Sequence, residues 1–204
     1  MGSLSNFSLL LITDGFDDET PSRVEAACAA LPKGAAAVML RAKRLDGRAL
    51  LQAAERLRPV APILLVNDRA DVALAAGADG VHLPARGLPP KTVRRFAPAG
   101  FIVGCSTHSL IEARMAARGG ADYVCFGPVF ATGDKGPPVG VSALAEVAAA
   151  LSIPVFALGG VDAARAPECV RAGARAACIG AVLGRPAAAV ADGARALLGS
   201  VQAS

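Results

Sequence analysis

Tyr123–Lys135 reads Tyr-Val-Cys-Phe-Gly-Pro-Val-Phe-Ala-Thr-Gly-Asp-Lys. It begins as a short uncharged apolar run, the pattern of a strand buried on both faces. It breaks at Gly127-Pro128 and ends in a loop carrying a hydroxyl (Thr132), a carboxylate (Asp134) and an ammonium (Lys135). A cation and hydroxyls just past the carboxyl end of a buried strand are how α/β proteins hold anions. An ordinary solvated loop has the same composition. The choice therefore turns on how the other strands end.

Working outward, similar runs occur at Leu9–Thr13, Ala36–Arg41, Ile63–Asn67, Gly80–Leu83, Phe101–Ser106, Pro154–Leu158 and Ala177–Val182. Helix-like segments alternate with them at roughly two-dozen-residue intervals, several closing on Gly; Asp46 is a good N-cap for Asp46–Leu57. Alternation of this kind predicts a parallel sheet, and eight units in 204 residues fit an α/β fold of the (β/α)8 TIM-barrel type. A doubly wound open sheet would carry a glycine-rich phosphate loop after its first strand. That position holds Asp14-Gly15-Phe16-Asp17-Asp18, which repels a pyrophosphate, so the barrel is preferred.

The length predicts a single domain over residues 1–204, with 1–8 a flexible lead. Hydrophobic residues make up 53% but aromatics only 4%, so the core is built of Ala, Val, Leu and Ile. The net charge of +4 comes from scattered Arg without a basic block or interleaved aromatics. This argues against nucleic acid and suits a small anionic substrate. Five cysteines without a CxxC spacing make neither a disulfide framework nor a zinc site. With no signal-peptide pattern and no membrane-length apolar run, a cytoplasmic location is expected; the oligomeric state is open.

A barrel assembles its site from strand ends. Those ends supply Asp14, Arg41, Lys43, Asn67, Asp68, Ser106, Thr132, Lys135, Gly159, Gly160 and Gly180. Three cations, two hydroxyls, an amide and glycine backbone suit a phosphorylated ligand, with Gly159-Gly160 and Gly180 as the phosphate cradle. Arg41 and Lys43 alternate and share a side, a costly arrangement at a barrel mouth without an anion. Asp68 could hold a hydrated magnesium, or with Asn67 could cap the next helix. His82, inside an apolar run, is expected to be a satisfied core histidine, and His108 to mark a helix start capped by Ser or Thr.

Leu40-Arg41-Ala42-Lys43, Val66-Asn67-Asp68-Arg69, Gly77-Ala78-Asp79-Gly80-Val81-His82-Leu83, Gly104-Cys105-Ser106-Thr107-His108-Ser109, Gly127-Pro128-Val129-Phe130-Ala131-Thr132 and Ala157-Leu158-Gly159-Gly160-Val161 occur in that order. Together they resemble the thiamine-phosphate synthase family, which includes the thiazole tautomerases. The resemblance implies a transferase joining hydroxymethylpyrimidine pyrophosphate to thiazole phosphate with release of pyrophosphate. It implies that Arg41, Lys43, Asn67, Ser106 and Lys135 hold pyrophosphate and that Asp68 is a magnesium ligand. Thr132 and the backbone at Gly159, Gly160 and Gly180 would take the thiazole phosphate.

The chain also departs from the synthase pattern. Met39 stands for Gln, Ala42 for Glu, Gly87 for a second magnesium-binding Asp and Gly180 for Ser. Thr-x-Thr-Lys becomes Thr132-Gly133-Asp134-Lys135, placing a carboxylate beside the expected pyrophosphate. These changes imply weaker magnesium binding and reduced activity. Two other functions stay open: a tautomerase-like isomerase, although Pro128 stands where that branch has His, and a non-catalytic binder of thiazole or thiamine phosphates.

Overall fold

The computed structural model describes residues 7–133, 136–179 and 181–203. Eight parallel strands close into a barrel in sequence order: β1 (Leu9–Ile12), β2 (Ala36–Leu40), β3 (Leu64–Asn67), β4 (Gly80–Leu83), β5 (Ile102–Thr107), β6 (Tyr123–Phe126), β7 (Val155–Ala157) and β8 (Arg175–Ile179). They alternate with α1 (Thr20–Ala29), α2 (Gly47–Leu57), α3 (Ala70–Ala75), α4 (Pro90–Val93), α5 (Leu110–Arg118), α6 (Gly140–Ala150), α7 (Ala166–Arg171) and α8 (Ala187–Gln202). The (β/α)8 expectation is met. Among the described residues no helix is long and apolar enough to cross a membrane.

Strand alternation sorts the core into two layers. Leu9, Leu11, Val38, Leu40, Leu64 and Val66 face outward, and with residues such as Val24, Leu50, Leu57 and Leu144 they form the layer between sheet and helices. Leu10, Ile12, Met39, Leu65, Tyr123, Cys125 and Phe156 fill the interior. The same parity sends Arg41, Asn67, His82 and Ser106 inward as the strands approach their carboxyl ends.

The amino-terminal face is pinned by a repeated device. Asp79 Oδ2 accepts from Leu64 N (2.7 Å) and Arg58 Nη1 (2.9 Å), and Asp122 Oδ2 accepts from Val103 N (2.7 Å) and from Arg94. Each carboxylate follows a Gly-Ala pair and ties its own strand entrance to the neighbouring strand. Residues at this face of a barrel serve stability.

Two expectations are corrected. The lead expected over residues 1–8 ends sooner: residues 1–6 lie outside the described residues, but Phe7 is buried in the barrel. It stacks on Phe156 at 5.1 Å and meets Tyr123 edge-on at 6.1 Å. The eighth strand begins at Arg175, not Ala177. Its charge disguised the start, but the guanidinium donates to the Phe7 carbonyl (2.8 Å) and lies over the Phe156 ring. α7 begins only at Ala166 because Asp162 Oδ1 accepts from the backbone of Ala164 and Arg165 (3.0 Å each), holding that segment in a turn.

Candidate active site

At the carboxyl ends of β1, β2 and β8 a cleft of about 660 Å³ is lined by Arg23, Arg41, Lys43 and Arg44 together with Asp14 and Asp17. Arg41 and Lys43 share it, as their alternation predicts. The anion that the inward-facing Arg41 calls for is supplied within the chain: Asp14 Oδ1 lies 2.7 Å from its Nη1. The Arg41 backbone is fixed as well, its N–H donating to Thr13 Oγ1 (2.9 Å) and its carbonyl accepting from Gly15 N (3.0 Å). Among the described residues Lys43 and Arg44 have no ion-pair partner and are exposed.

Arg23, from α1, is held by Asp17 (2.6 Å) and Glu19 (3.3 Å), and its Nε is buried without a hydrogen-bond partner. The Arg23 guanidinium and the Thr20 hydroxyl hold the Asp17 carboxyl down at about 2. Arg23 and Arg44 were missed in the sequence. Arg23 reaches the rim from a helix rather than a strand end, and Arg44 stands one residue out of the inward alternation.

Asn67 ends β3 half-buried, beside His82 of β4. Asp68 follows with φ +69, the sole non-glycine with positive φ among the described residues, and its N–H donates to the His82 carbonyl (2.8 Å). The helix-cap alternative fails: the N-cap of α3 is Arg69, and no side chain caps that helix. Arg69 is engaged by Asp71 (2.8 and 2.5 Å), so the exposed Asp68 carboxylate is left facing solvent.

Ser106 lies on the inward face of β5, its Oγ 2.8 Å from His82 Nε2. His82 is the satisfied core histidine expected, with Nδ1 2.9 Å from the Tyr123 hydroxyl. His108 is at a helix start, as predicted. Ser109 is the cap, its Oγ accepting from Glu112 N (3.2 Å), while His108 N donates to Glu112 Oε2 (2.7 Å) and Nδ1 lies 2.5 Å from the Gly127 carbonyl oxygen. Ser106, His108, Gly127, Pro128 and Gly159 line a small hollow of about 50 Å³ that bridges β5 and β7.

Thr132, Gly159 and Gly160 meet in a cleft of about 270 Å³ together with Asp162, Arg165 and Ala177. Gly159 and Gly160 both have positive φ (+98° and +66°), a conformation that selects glycine at each position. Arg165 was not foreseen. It donates to the Gly160 carbonyl (3.0 Å) and lies over the Phe130 ring (5.2 Å), bringing a guanidinium to this cleft. Lys135 and Gly180 lie outside the described residues, as does Asp134.

The two clefts sit on one rim, because every strand points the same way. One is rich in cations and the other in glycine backbone and a hydroxyl, so two anionic groups can be held side by side.

The family model for thiamine monophosphate synthase matches residues 9–182. The chain belongs to that family. It is 45% identical over 186 residues to a thiamine-phosphate synthase of Methanoculleus marisnigri, covering 87% of this chain and 88% of that one. It is 42% identical over 189 residues to a putative thiamine-phosphate synthase of Geobacter sulfurreducens, covering 89% of each. Among solved structures it resembles a thiamine phosphate pyrophosphorylase from Pyrococcus furiosus, with TM-score 0.83 and 32% identity over 97% of this chain and 96% of that one.

Magnesium, expected from the resemblance, finds a sparse donor set in this thiamine monophosphate synthase family member. No group of three His, Cys, Asp or Glu side chains suited to a metal exists among the described residues. Gly87, where a second Asp was expected, closes a tight turn onto the Pro84 carbonyl (2.8 Å). A Cβ there would lie 2.8 Å from the Pro84 ring. Asp68 alone fits an ion that keeps most of its water and arrives on a substrate phosphate, the usual habit of magnesium.

Proposed function

We propose that this chain joins hydroxymethylpyrimidine pyrophosphate to thiazole phosphate, releasing pyrophosphate, in the cytoplasm. The observation that carries the proposal is the pairing of two clefts on one rim, one lined by Arg41 and Lys43 and the other by Thr132, Gly159 and Gly160. The cytoplasmic placing is supported by four free cysteines among the described residues, Cys28, Cys105, Cys125 and Cys169.

In this scheme the pyrophosphate lies along Arg41, Lys43, Asn67 and Ser106, with Lys135 completing the set from the loop after β6. The carbon–oxygen bond to the pyrimidine methylene breaks with its electron pair going to the leaving pyrophosphate. The thiazole nitrogen then donates its lone pair to the resulting carbocation. Preorganised positive charge around the departing oxygen stabilises this step more than a strong base would. Thr132 and the backbone at Gly159, Gly160 and Gly180 hold the thiazole phosphate. Magnesium, held by Asp68 and the substrate, would neutralise charge on the leaving group.

Met39 is buried in the barrel interior, so the position expected to hold Gln offers no hydrogen bond to a bound ring. Turnover is therefore expected to be lower than in a relative with Gln there and Asp at the place of Gly87. The test supplies purified protein with both substrates and magnesium and measures pyrophosphate release. No turnover under conditions where a complete synthase works removes the proposal.

A further inference from the structure

Three polar side chains from three strands run in a line through the barrel interior: Tyr123 on β6, His82 on β4 and Ser106 on β5. The Tyr123 hydroxyl is 2.9 Å from His82 Nδ1, and His82 Nε2 is 2.8 Å from Ser106 Oγ. Tyr123 and His82 are buried, while Ser106 is half-buried at the rim. We propose that His82 is a positioning residue that holds the Ser106 hydroxyl as a hydrogen-bond donor toward the pyrophosphate, with Tyr123 selecting the imidazole tautomer. This rests on the assignment of Ser106 to pyrophosphate made above.

The direction of the chain follows from counting donors and acceptors. Among the described residues the Tyr123 hydroxyl has His82 Nδ1 as its hydrogen-bond partner and no other. If Nδ1 carried the proton, the phenolic hydrogen would be buried with no acceptor, a costly state. Tyr123 therefore donates to a bare Nδ1, which leaves the proton on Nε2. Nε2–H donates to Ser106 Oγ, so the serine's own hydrogen is turned away from the imidazole. Among the described residues Ser106 Oγ has no other partner, and its hydrogen is available to an anion at the barrel mouth.

The packing around this line is specific. The His82 and Tyr123 rings stack at 5.6 Å, and Phe156 meets Tyr123 edge-on at 5.4 Å, fixing the phenol. Gly104 leaves room for it: a Cβ there would lie 2.1 Å from the Tyr123 ring. Burial also holds the imidazole well below its ordinary range, at about 3, so it stays neutral and the tautomer question is well posed.

The opposite tautomer would change the chemistry. With the proton on Nδ1, Nε2 becomes an acceptor and takes the Ser106 hydrogen, leaving the serine to face the leaving group with lone pairs alone. Tyr123→Phe removes the selection while keeping the ring. His82→Gln keeps an N–H donor near the Nε2 position, and His82→Leu does not.

The test uses full-length protein labelled with 15N-histidine. The chain has two histidines, and His108→Gln assigns the pair. The expected spectrum shows His82 with a protonated Nε2 and a bare Nδ1, and Tyr123→Phe moves it toward the other tautomer. In turnover, Tyr123→Phe and His82→Leu each lower kcat/KM by about tenfold, His82→Gln by less, and neither Tyr123→Phe nor His82→Leu adds a further loss to Ser106→Ala. A wild-type spectrum with the proton on Nδ1 overturns the proposal without any variant having to fold. Losses that multiply in the Ser106→Ala background overturn it as well, because they show a structural effect independent of the serine. If Ser106→Ala turns over like the parent, the pyrophosphate assignment fails and takes the proposal with it, whatever the tautomer spectrum shows.

Discussion

The Arg41 guanidinium sits 2.7 Å from the Asp14 carboxylate, joining the ends of β2 and β1 across the mouth of the larger cleft. Asp14 is 70% exposed while Arg41 is 19% exposed, so water screens the acid end of the pair far more than the cation. Exposed pairs of this kind contribute about 0–1 kcal/mol. A pyrophosphate with several negative charges outcompetes such a partner. Asp14→Asn is therefore expected to tighten pyrophosphate binding by up to about fivefold, an effect that fades with salt. Arg41→Gln should weaken it by tenfold or more, since a charge-assisted bond is lost. Titration calorimetry with inorganic pyrophosphate at low and high salt checks both.

Phe7 closes the amino-terminal end of the barrel by stacking on Phe156 and meeting Tyr123 edge-on. It is 1% exposed, so Phe7→Ala leaves a cavity that the tightly hydrogen-bonded barrel can collapse only in part. The expected cost is about 3–5 kcal/mol, read as a lower denaturant midpoint at an unchanged slope. An unchanged midpoint would mean that Phe7 does not seal the barrel floor.

The strands were legible because each is a short apolar run with an abrupt end, and the barrel followed from their number and alternation. Phe7 and Arg175 were not legible. A lone aromatic beside a polar lead looks solvated, and a charged strand start looks like a loop until the carbonyl and ring that satisfy it are in place. Arg41, Lys43, Asn67, Asp68, Ser106, Thr132 and Gly159-Gly160 could be placed on one rim from the rule that barrel sites are assembled at the carboxyl ends of strands. The Asp14 partner of Arg41 and the Arg165 guanidinium could not. One pairing depends on strand register across 27 residues, and the other on the fold-back of a turn. The Tyr123–His82–Ser106 line joins strands that are far apart in sequence, so only the isolated core histidine was visible.

Asp17 anchors the loop between β1 and α1, accepting from Thr20 Oγ1 (2.8 Å) and from Arg23 (2.6 and 2.7 Å). Its folded-state value, about 2, lies below its ordinary 3.8, with the Arg23 hydrogen bond as the largest cause. A carboxyl with a depressed folded value adds stability above its unfolded value, and that contribution is lost as pH falls through the folded one. The contribution is thus present above about pH 4 and lost toward pH 2. Asp17→Asn should flatten the fall in denaturant midpoint over that window, and its midpoint should converge on the parent's at the acid end. Parallel curves would show that the carboxylate does not support the loop.

Asp68 carries a backbone conformation that most L-residues avoid, with φ +69, just past the end of a strand, where its carboxylate faces solvent and does not cap α3. Holding an L-residue in this region costs about 1–2 kcal/mol in general and less for Asp and Asn, whose short polar side chains tolerate it. The fold gains nothing visible in return, since the Asp68 N–H bond to the His82 carbonyl is available to any residue. The position is therefore expected to trade stability for function. Asp68→Gly should leave the unfolding free energy unchanged or raise it by up to about 1 kcal/mol, because glycine adopts this conformation without strain but orders more backbone on folding. Asp68→Asn should stay near the parent, because asparagine tolerates the left-handed region. Both substitutions remove the negative oxygen and should lower magnesium-dependent pyrophosphate release at least tenfold, with part of the loss recovered at high magnesium. Denaturant melts and magnesium titrations of turnover separate the two effects. A glycine variant that is less stable than the parent, or one that keeps full turnover at low magnesium, would show that the strained backbone does not serve the metal.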